Sequence, residues 1–330
     1  LEDGNGASID NVTIENGQLN ASIWQTDNKF TNVRVNEGGI FNITKLNSGG
    51  DKDQSVEGAK PHNTLLLAYG ANYTLDGGKL FVADSEYHGN LKIGSQNNSP
   101  DNKGLGHLTI ESGNYSFDRV ELGPNVGNTL TIKGGTLTAD TFNATYGTTT
   151  VSGGGVLASD NIEYTAGGNG TVKLSDGGTL RTSGKNIFIQ SGEGEGASWG
   201  LSEFAQANFE QDGGDDEGIL EITDGFTTSL DKLREAQKLL DGTTLYFSNV
   251  TLTDEEITFD ENNGLTTANK EVSSNVASVD GKTTLQIGNT KNVGVGAIRV
   301  DAKTTDISIE GNNLETAGAL LISGMPNGGN

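Results

Sequence analysis

The sequence predicts an all-β chain, a solenoid of short strands stacked coil on coil into long parallel sheets, with a small helical insertion. Three observations carry that prediction. One phrase recurs: an apolar residue, three or four mostly small or polar residues rich in Gly, then a second apolar residue. Ile14 and Leu19, Val35 and Ile40, Leu75 and Leu80, Ile110 and Tyr115, Ile132 and Leu137, Val151 and Val156, and Ile309 and Leu314 each lie five residues apart, and Leu174 and Leu180 repeat the phrase with one extra residue. From Ile14 to Ile222 the phrases start 21, 40, 35, 22, 19, 23 and 48 residues apart, near one unit or two. A period of about 20 to 50 residues marks a solenoid or an array. Finally, the pairs Gly38-Gly39, Gly77-Gly78, Gly134-Gly135, Gly153-Gly154 and Gly177-Gly178 fall at the same place in each unit. A tight corner needs positive φ, which Gly reaches without a Cβ penalty. The chain has 49 Gly; because they are phased with apolar residues, they argue for corners rather than for a disordered linker.

Residues 1–190 carry the regular units. The fullest copies run from Leu130 to Leu137 and from Val172 to Leu180. Further triplets follow the phrase by roughly ten to fifteen residues: Asn90–Gly94, Arg119–Gly123, Asn161–Tyr164 and Asn186–Ile189. All alternate apolar and polar, the period of a strand with one buried face. Strands this short gain a continuous core only by stacking. Leucine-rich repeats share the period but need a Leu ladder with Asn or Cys that is missing here. Ankyrin and tetratricopeptide repeats need helices, which this Gly content opposes.

Residues 191–242 read as an acidic insertion with one or two helices. Leu201, Phe204, Ala205 and Phe209 have helix-compatible spacing, and an acidic loop follows over 211–218. Gly218–Ile222 reads as a strand. The clearest helix covers 229–240, with Thr228 and Asp231 as a capping box, Leu230, Leu233, Gln237 and Leu240 along one face, and Gly242 at the C′ position. Strand patterns resume over 243–330, at 244–247, 250–252, 256–259, 284–287, 297–300 and 306–309. They are read as a less regular continuation of the solenoid, a separate C-terminal β domain being the alternative.

Composition bounds the function. Hydrophobic content of 32% is low for a globule but suits a core one sheet-pair thick, and four Pro fit extensive ladder pairing. There is no Cys, consistent with export by a route that disfavours disulfides. No run of 18 apolar residues offers a transmembrane helix. No signal peptide is seen and the first residue is Leu1, so the chain is expected to be a piece of a longer precursor. No segment with an aromatic girdle suggests a membrane barrel. The net charge of −23 repels phosphate backbones and argues against nucleic acid. Residues 201–261 hold 16 Asp and Glu against 3 Lys and Arg, more than half of that excess.

Candidate chemistry is sparse. His62, His88 and His107 lack metal spacing, and there is no Gly-x-Ser-x-Gly elbow. Polysaccharide hydrolases and lyases also use stacked parallel strands, with paired acids or Ca²⁺ carboxylates and a base. For that rival, Glu111, Glu121 and Asp118 with Arg119 are the candidates, Arg119 and Glu121 sharing one outward strand face. The preferred reading assigns no catalytic residue and no cofactor. Asp212, Asp215, Asp216 and Glu217 offer hard oxygen ligands for calcium, though they match no EF-hand loop. Glu203, Glu210, Asp254, Glu255 and Glu256 are the candidate interaction residues, suited to a basic or calcium-bridged partner. Thr109, Thr131 and Thr149 recur on strands as in ice-binding solenoids, but Glu111 and Lys133 are read as breaking the ranks. Nine Asn-x-Ser/Thr sequons follow from the Asn and Thr content and imply no glycosylation.

The units Leu130–Ala139 and Val151–Ala158 resemble the passenger repeats of bacterial type V autotransporter adhesins, the AIDA and antigen 43 group. The resemblance is best over 5–190 and fair over 280–325. It implies a right-handed parallel β-helix displayed outside a Gram-negative cell and anchored by a separate C-terminal barrel. At about 4.8 Å per coil, some 12 to 14 coils would form a rod of roughly 60 Å. The acidic insertion departs from the plainest members of the group. The expected function is a non-enzymatic cell-surface adhesin or self-aggregation module that binds through a solvent face. Expected partners are a host glycan, a matrix protein or identical passengers on neighbouring cells. A purely structural stalk is the third class.

Overall fold

The computed structural model describes residues 10–24, 30–47, 64–68, 70–94, 104–164, 168–183, 189–190, 218–223, 226–228, 243–252, 257–260, 264–267, 276–279, 282–286, 292–301, 308–310 and 319–323. Among them the chain is all-β, built mainly from parallel sheets.

The first sheet stacks seven strands, all parallel: β1 (Val12–Ile14), β3 (Asn32–Asn36), β6 (Ala71–Asp76), β10 (Gly106–Ser112), β12 (Thr129–Ile132), β14 (Thr148–Val151) and β16 (Thr171–Leu174). Their register brings the first apolar residue of each phrase into one column, in which Ile14, Val35, Leu75, Ile110, Ile132, Val151 and Leu174 follow one another strand by strand. Each of these side chains is buried. The phrase recurs because every strand must place the same inward side chain above the last. Full burial of one such side chain stabilises by about 1.5–3 kcal/mol.

The second sheet has fourteen strands. Its path runs β5 (Thr64–Leu67), β9 (Asn90–Ile93), β11 (Asn114–Leu122), β13 (Thr136–Asn143), β15 (Val156–Tyr164), β17 (Thr179–Ser183), β19 (Gly218–Thr223), β21 (Thr243–Leu252), β26 (Asn292–Asp301), β25 (Lys282–Gln286) and β24 (Val276–Val279). Beside this path β18 (Ile189–Gln190) pairs with β15, β20 (Phe226–Thr228) with β21, and β28 (Ala319–Ser323) with β26. Pairing is parallel throughout, except that β24, β25 and β26 pair antiparallel in turn.

The triplet at 90–94 is a separate strand, β9, as expected, but those at 119–123 and 161–164 are the second halves of long strands. In β11, β13 and β15 the second strand of the phrase runs straight on into the triplet. A bend marks the join: Asp118, Asp140 and Asp160 drop out of the ladder between two paired stretches, each followed by a second outward residue. An exposed Asp at that point lets the strand turn a corner without burying a charge.

The Gly pairs do two different jobs. At Ser175–Gly178, Asp176 and Gly177 have φ of 48° and 72° and the Gly178 N–H donates to the Ser175 carbonyl, a type I′ turn. Gly178 itself has ordinary φ, but a Cβ there would lie 2.1 Å from the Val151 carbonyl oxygen of the preceding strand. One Gly of this pair turns the chain; the other lets the neighbouring strand approach.

The third sheet orders β2 (Gly17–Trp24), β4 (Gly39–Asn47), β7 (Lys79–Val82) and β8 (Ser85–Glu86). β7 and β8 form a hairpin whose two turn residues, Ala83 and Asp84, both have positive φ. The Asp84 carboxylate accepts from the side-chain amide of buried Asn42 at 2.6 Å, and Asn42 Oδ1 accepts the Asp84 backbone N–H at 3.0 Å. A fourth sheet joins β22 (Ile257–Asp260) to antiparallel β23 (Gly264–Thr267) and parallel β27 (Ser308–Glu310).

Aromatic residues pack edge-on within the core. Phe41 contacts Phe30 and Tyr73 edge-on, at centroid distances of 5.6 and 6.0 Å, and Tyr87 meets Phe117 at 6.0 Å. The strand read at 218–222 is β19, seated between β17 and β21 in the second sheet, so that sheet continues across part of the segment read as an insertion. The helices read over 201–209 and 229–240 lie outside the described residues.

Candidate interaction surface

Two ion-pair networks organise the outward positions of the sheets. On the second sheet, Lys92 of β9, Arg119 and Glu121 of β11 and Glu163 of β15 form one chain of charges. Lys92 Nζ lies 2.7 Å from Glu121 Oε1, Arg119 Nε donates to Glu121 Oε2 at 3.1 Å, and an Arg119 terminal nitrogen donates to Glu163 Oε2 at 2.6 Å. The last contact skips a strand, because β13 places only Thr141 and Asn143 beneath it. Burial pulls the Arg119 pKa down, but Glu163 and Glu121 outweigh it and the net shift is upward. Burial pushes the Glu121 carboxyl up, but Lys92 and Arg119 reverse this and hold it below its ordinary value.

On the first sheet, one terminal nitrogen of Arg34 donates to Asp76 and to Glu111, both at 2.6 Å. Its Nε donates to Asn36 at 2.8 Å, the Ser112 hydroxyl donates to Asp76, and Lys133 stands 3.8 Å from Glu111. The hydrogen bond to Glu111 is the main reason the Arg34 pKa is raised.

The four residues weighed for an enzyme therefore do not converge. Arg119 and Glu121 share one outward face, as their spacing predicts. Asp118 is exposed at the bend before them, and Glu111 belongs to the other sheet and the other network. Glu121 is held as an anion by two cations, the opposite of the raised pKa that a general acid needs. Arg34 to Asp76 and Arg119 to Glu163 span 42 and 44 residues, about two units each. Sequence reading missed both pairs, although laying the repeats in register would have found them.

The histidines have separate roles. His107 Nδ1 lies 2.9 Å from the Thr129 hydroxyl, and burial lowers the His107 pKa. His88 Nδ1 lies 3.1 Å from the Ser116 carbonyl oxygen. His62 lies outside the described residues.

The threonines differ from the sequence reading. Thr149 points inward and is 2% exposed, paired with Leu130 and Val172, while Thr150 takes the outward place beside Thr131. Glu111 and Lys133 lie two residues beyond Thr109 and Thr131, at the next outward place, and leave the ranks unbroken. Thr74, Thr109, Thr131 and Thr150 form one outward column, and Thr129, Thr148 and Thr171 a second.

Asp212, Asp215, Asp216 and Glu217, read as calcium ligands, lie outside the described residues. So do Glu203, Glu210, Asp254, Glu255 and Glu256, the candidate interaction residues. Among the described residues no group of three or more His, Asp or Glu side chains is placed to hold a metal ion. An open depression of about 470 Å³ runs along the outer edge of the first sheet, lined by Val12, Ile14, Gln18 and Leu19 among others. No protein-family model, curated protein or solved structure matches the chain.

Proposed function

We propose that the parallel sheets are the walls of a right-handed parallel β-helix serving as a non-enzymatic adhesin or self-aggregation module on the surface of a Gram-negative bacterium. One observation carries this reading. The phrase shared with autotransporter passengers coincides unit by unit with strands stacked in register over the first sheet. Such a stack offers long, flat, polar faces suited to many weak contacts. Each hydrogen bond contributes about 0.5–1.5 kcal/mol net, so useful affinity needs several. Partners of this class are a host glycan, a matrix protein or identical passengers on neighbouring cells. Residues 1–190 and 243–330 act as scaffold, and 191–242 adds an acidic segment able to meet a basic or calcium-bridged partner.

A polysaccharide-cleaving enzyme is the second reading, and one contact favours it. Asp76 and Glu111 reach the same Arg34 nitrogen, which brings two carboxylates close together on an open face. Both carboxylates are, however, already engaged by that guanidinium and not aimed at open space.

The test is adhesion by cells displaying the chain, with and without 201–217. That deletion spares β19, which a cut through 242 would remove from the sheet. Loss of adhesion with the fold intact supports a role for the acidic segment, and unchanged adhesion removes that role. New reducing ends or unsaturated products from neutral or uronate polysaccharides, abolished by Glu111→Gln, would replace the adhesin with the enzyme.

A further inference from the structure

We propose that the outer face of the first sheet binds a neutral, hydroxyl-bearing polysaccharide laid across the stacked strands β6, β10, β12, β14 and β16. The proposal rests on the adhesin reading and names its face and its ligand class.

Register is the starting point. β10, β12, β14 and β16 pair without a slip over the four residues that matter, from His107, Thr129, Thr148 and Thr171 onward. Outward side chains therefore repeat at the strand spacing of about 4.8 Å along the stack. Six threonines on this face, Thr74, Thr109, Thr131, Thr148, Thr150 and Thr171, are half-buried. Their hydroxyls have no hydrogen-bond partner among the described residues. Each can donate one bond and accept two.

Charge decides which partner fits. The molecule carries −23, yet the two outward columns hold no carboxylate from β6 to β16. Their basic members are His107 on β10, whose Nδ1 already meets the Thr129 hydroxyl, and Lys173 on the last strand; Arg34 stands beyond them on β3, held by Asp76 and Glu111. Docking over the centre strips water from no carboxylate and no ammonium, the costliest groups to desolvate. Depletion of charge is also what marks the buried centre of an interface. Anionic polymers are repelled by the rest of the molecule. A protein partner would want aromatic or Arg anchors. The exposed large apolar side chains among the described residues are Val126 and Tyr146, and neither belongs to this sheet. A neutral polymer with a hydroxyl at every step meets the same donors and acceptors on each successive strand.

Affinity electrophoresis of the whole 330-residue chain tests this, with a neutral β-glucan, a neutral galactan and polygalacturonate cast separately in the gel. The expected result is retardation by at least one neutral polymer and none by polygalacturonate. Thr131→Val with Thr150→Val keeps the β-branched shape and deletes two hydroxyls, and should weaken retention about tenfold. Thr131→Ser with Thr150→Ser should retain it. Ser116→Val, on the second sheet, is the control and should change nothing. Retardation by neither neutral polymer, stronger retardation by polygalacturonate, or full retention by the double Val variant would overturn the proposal. Adhesion of displaying cells that survives the double Val change would show that the adhesin reading stands and that this face is wrong. Failure of the unaltered chain to promote any adhesion would remove the adhesin reading itself.

Discussion

Arg119 holds two carboxylates that come from strands two apart, and the neutral pair Thr141 and Asn143 lets it reach them. All three charged side chains keep partial contact with water, so the network should contribute modestly. Arg119→Met should cost about 1 kcal/mol, read as a lower urea midpoint at unchanged m. A double-mutant cycle with Glu163→Gln isolates the contact, and zero coupling would mean that the 2.6 Å hydrogen bond adds nothing to stability. Two pH windows should also separate. The folded pKa of Glu121 is lowered, so its contribution is present above the unfolded value of about 4.3 and disappears as pH falls through the folded one. Acid-induced loss of stability below about pH 4 should shrink in Glu121→Gln. The folded pKa of His107 is lowered too. For a base, that disfavours the fold once the unfolded imidazole protonates, so stability should start to decline as pH drops below about 6.5. His107→Gln should flatten that upper step, and an unchanged melting profile across it would refute the assignment.

A strand or a corner succeeds or fails by how closely it lets its neighbours approach, and the paired glycines show this best. At Gly177 a Cβ would meet nothing within 4 Å, so Gly177→Ala adds only the strain of a left-handed backbone, about 1–2 kcal/mol. At Gly178 the Cβ would press on the Val151 carbonyl at 2.1 Å, so Gly178→Ala should cost about 3 kcal/mol although its φ is ordinary. The reverse order of the two melting temperatures would refute this division of labour. Asn128 ties another corner: its side-chain oxygen accepts the Gly106 N–H and its amide donates to the Gly123 carbonyl, both at 3.0 Å and buried. Asn128→Ala orphans two buried backbone groups and should cost about 2–3 kcal/mol. Much at this scale was legible in advance. The phrase located strands and corners because apolar alternation and Gly are local signals. The fusion of phrase and triplet into one bent strand was not legible, because Asp118 reads as any polar residue until its ladder neighbours are known. Nor was the close approach at Gly178, since the oxygen that demands it comes from the previous unit. Thr149 and Thr150 exchanged places for a related reason: in Thr148-Thr149-Thr150 polarity cannot say which one faces in, and only register against Leu130 and Val172 settles it.

Among the described residues, stacking in register builds one continuous hydrophobic core from Ile14 to Ile222. Charge density singles out the acidic residues at 203–217 and 254–256, but charge density does not say what a side chain faces. The ion-pair networks, by contrast, become readable once units are aligned, because their partners lie whole units apart. The joint between β17 and β19 has a further consequence. Residues 184–217 separate the two strands in sequence, yet Thr179 to Ser183 pair residue for residue with Ile219 to Thr223, and Arg181 bonds Glu221 at 2.7 Å. The ladder is thus indifferent to how much chain leaves one strand before the next begins. Doubling the length of that excursion should cost only about 0.6 kcal/mol in closure entropy, measurable as a nearly unmoved urea midpoint. Natural variation can therefore splice new segments between paired strands, and try new surfaces there, with little consequence for the folding of the parts on either side.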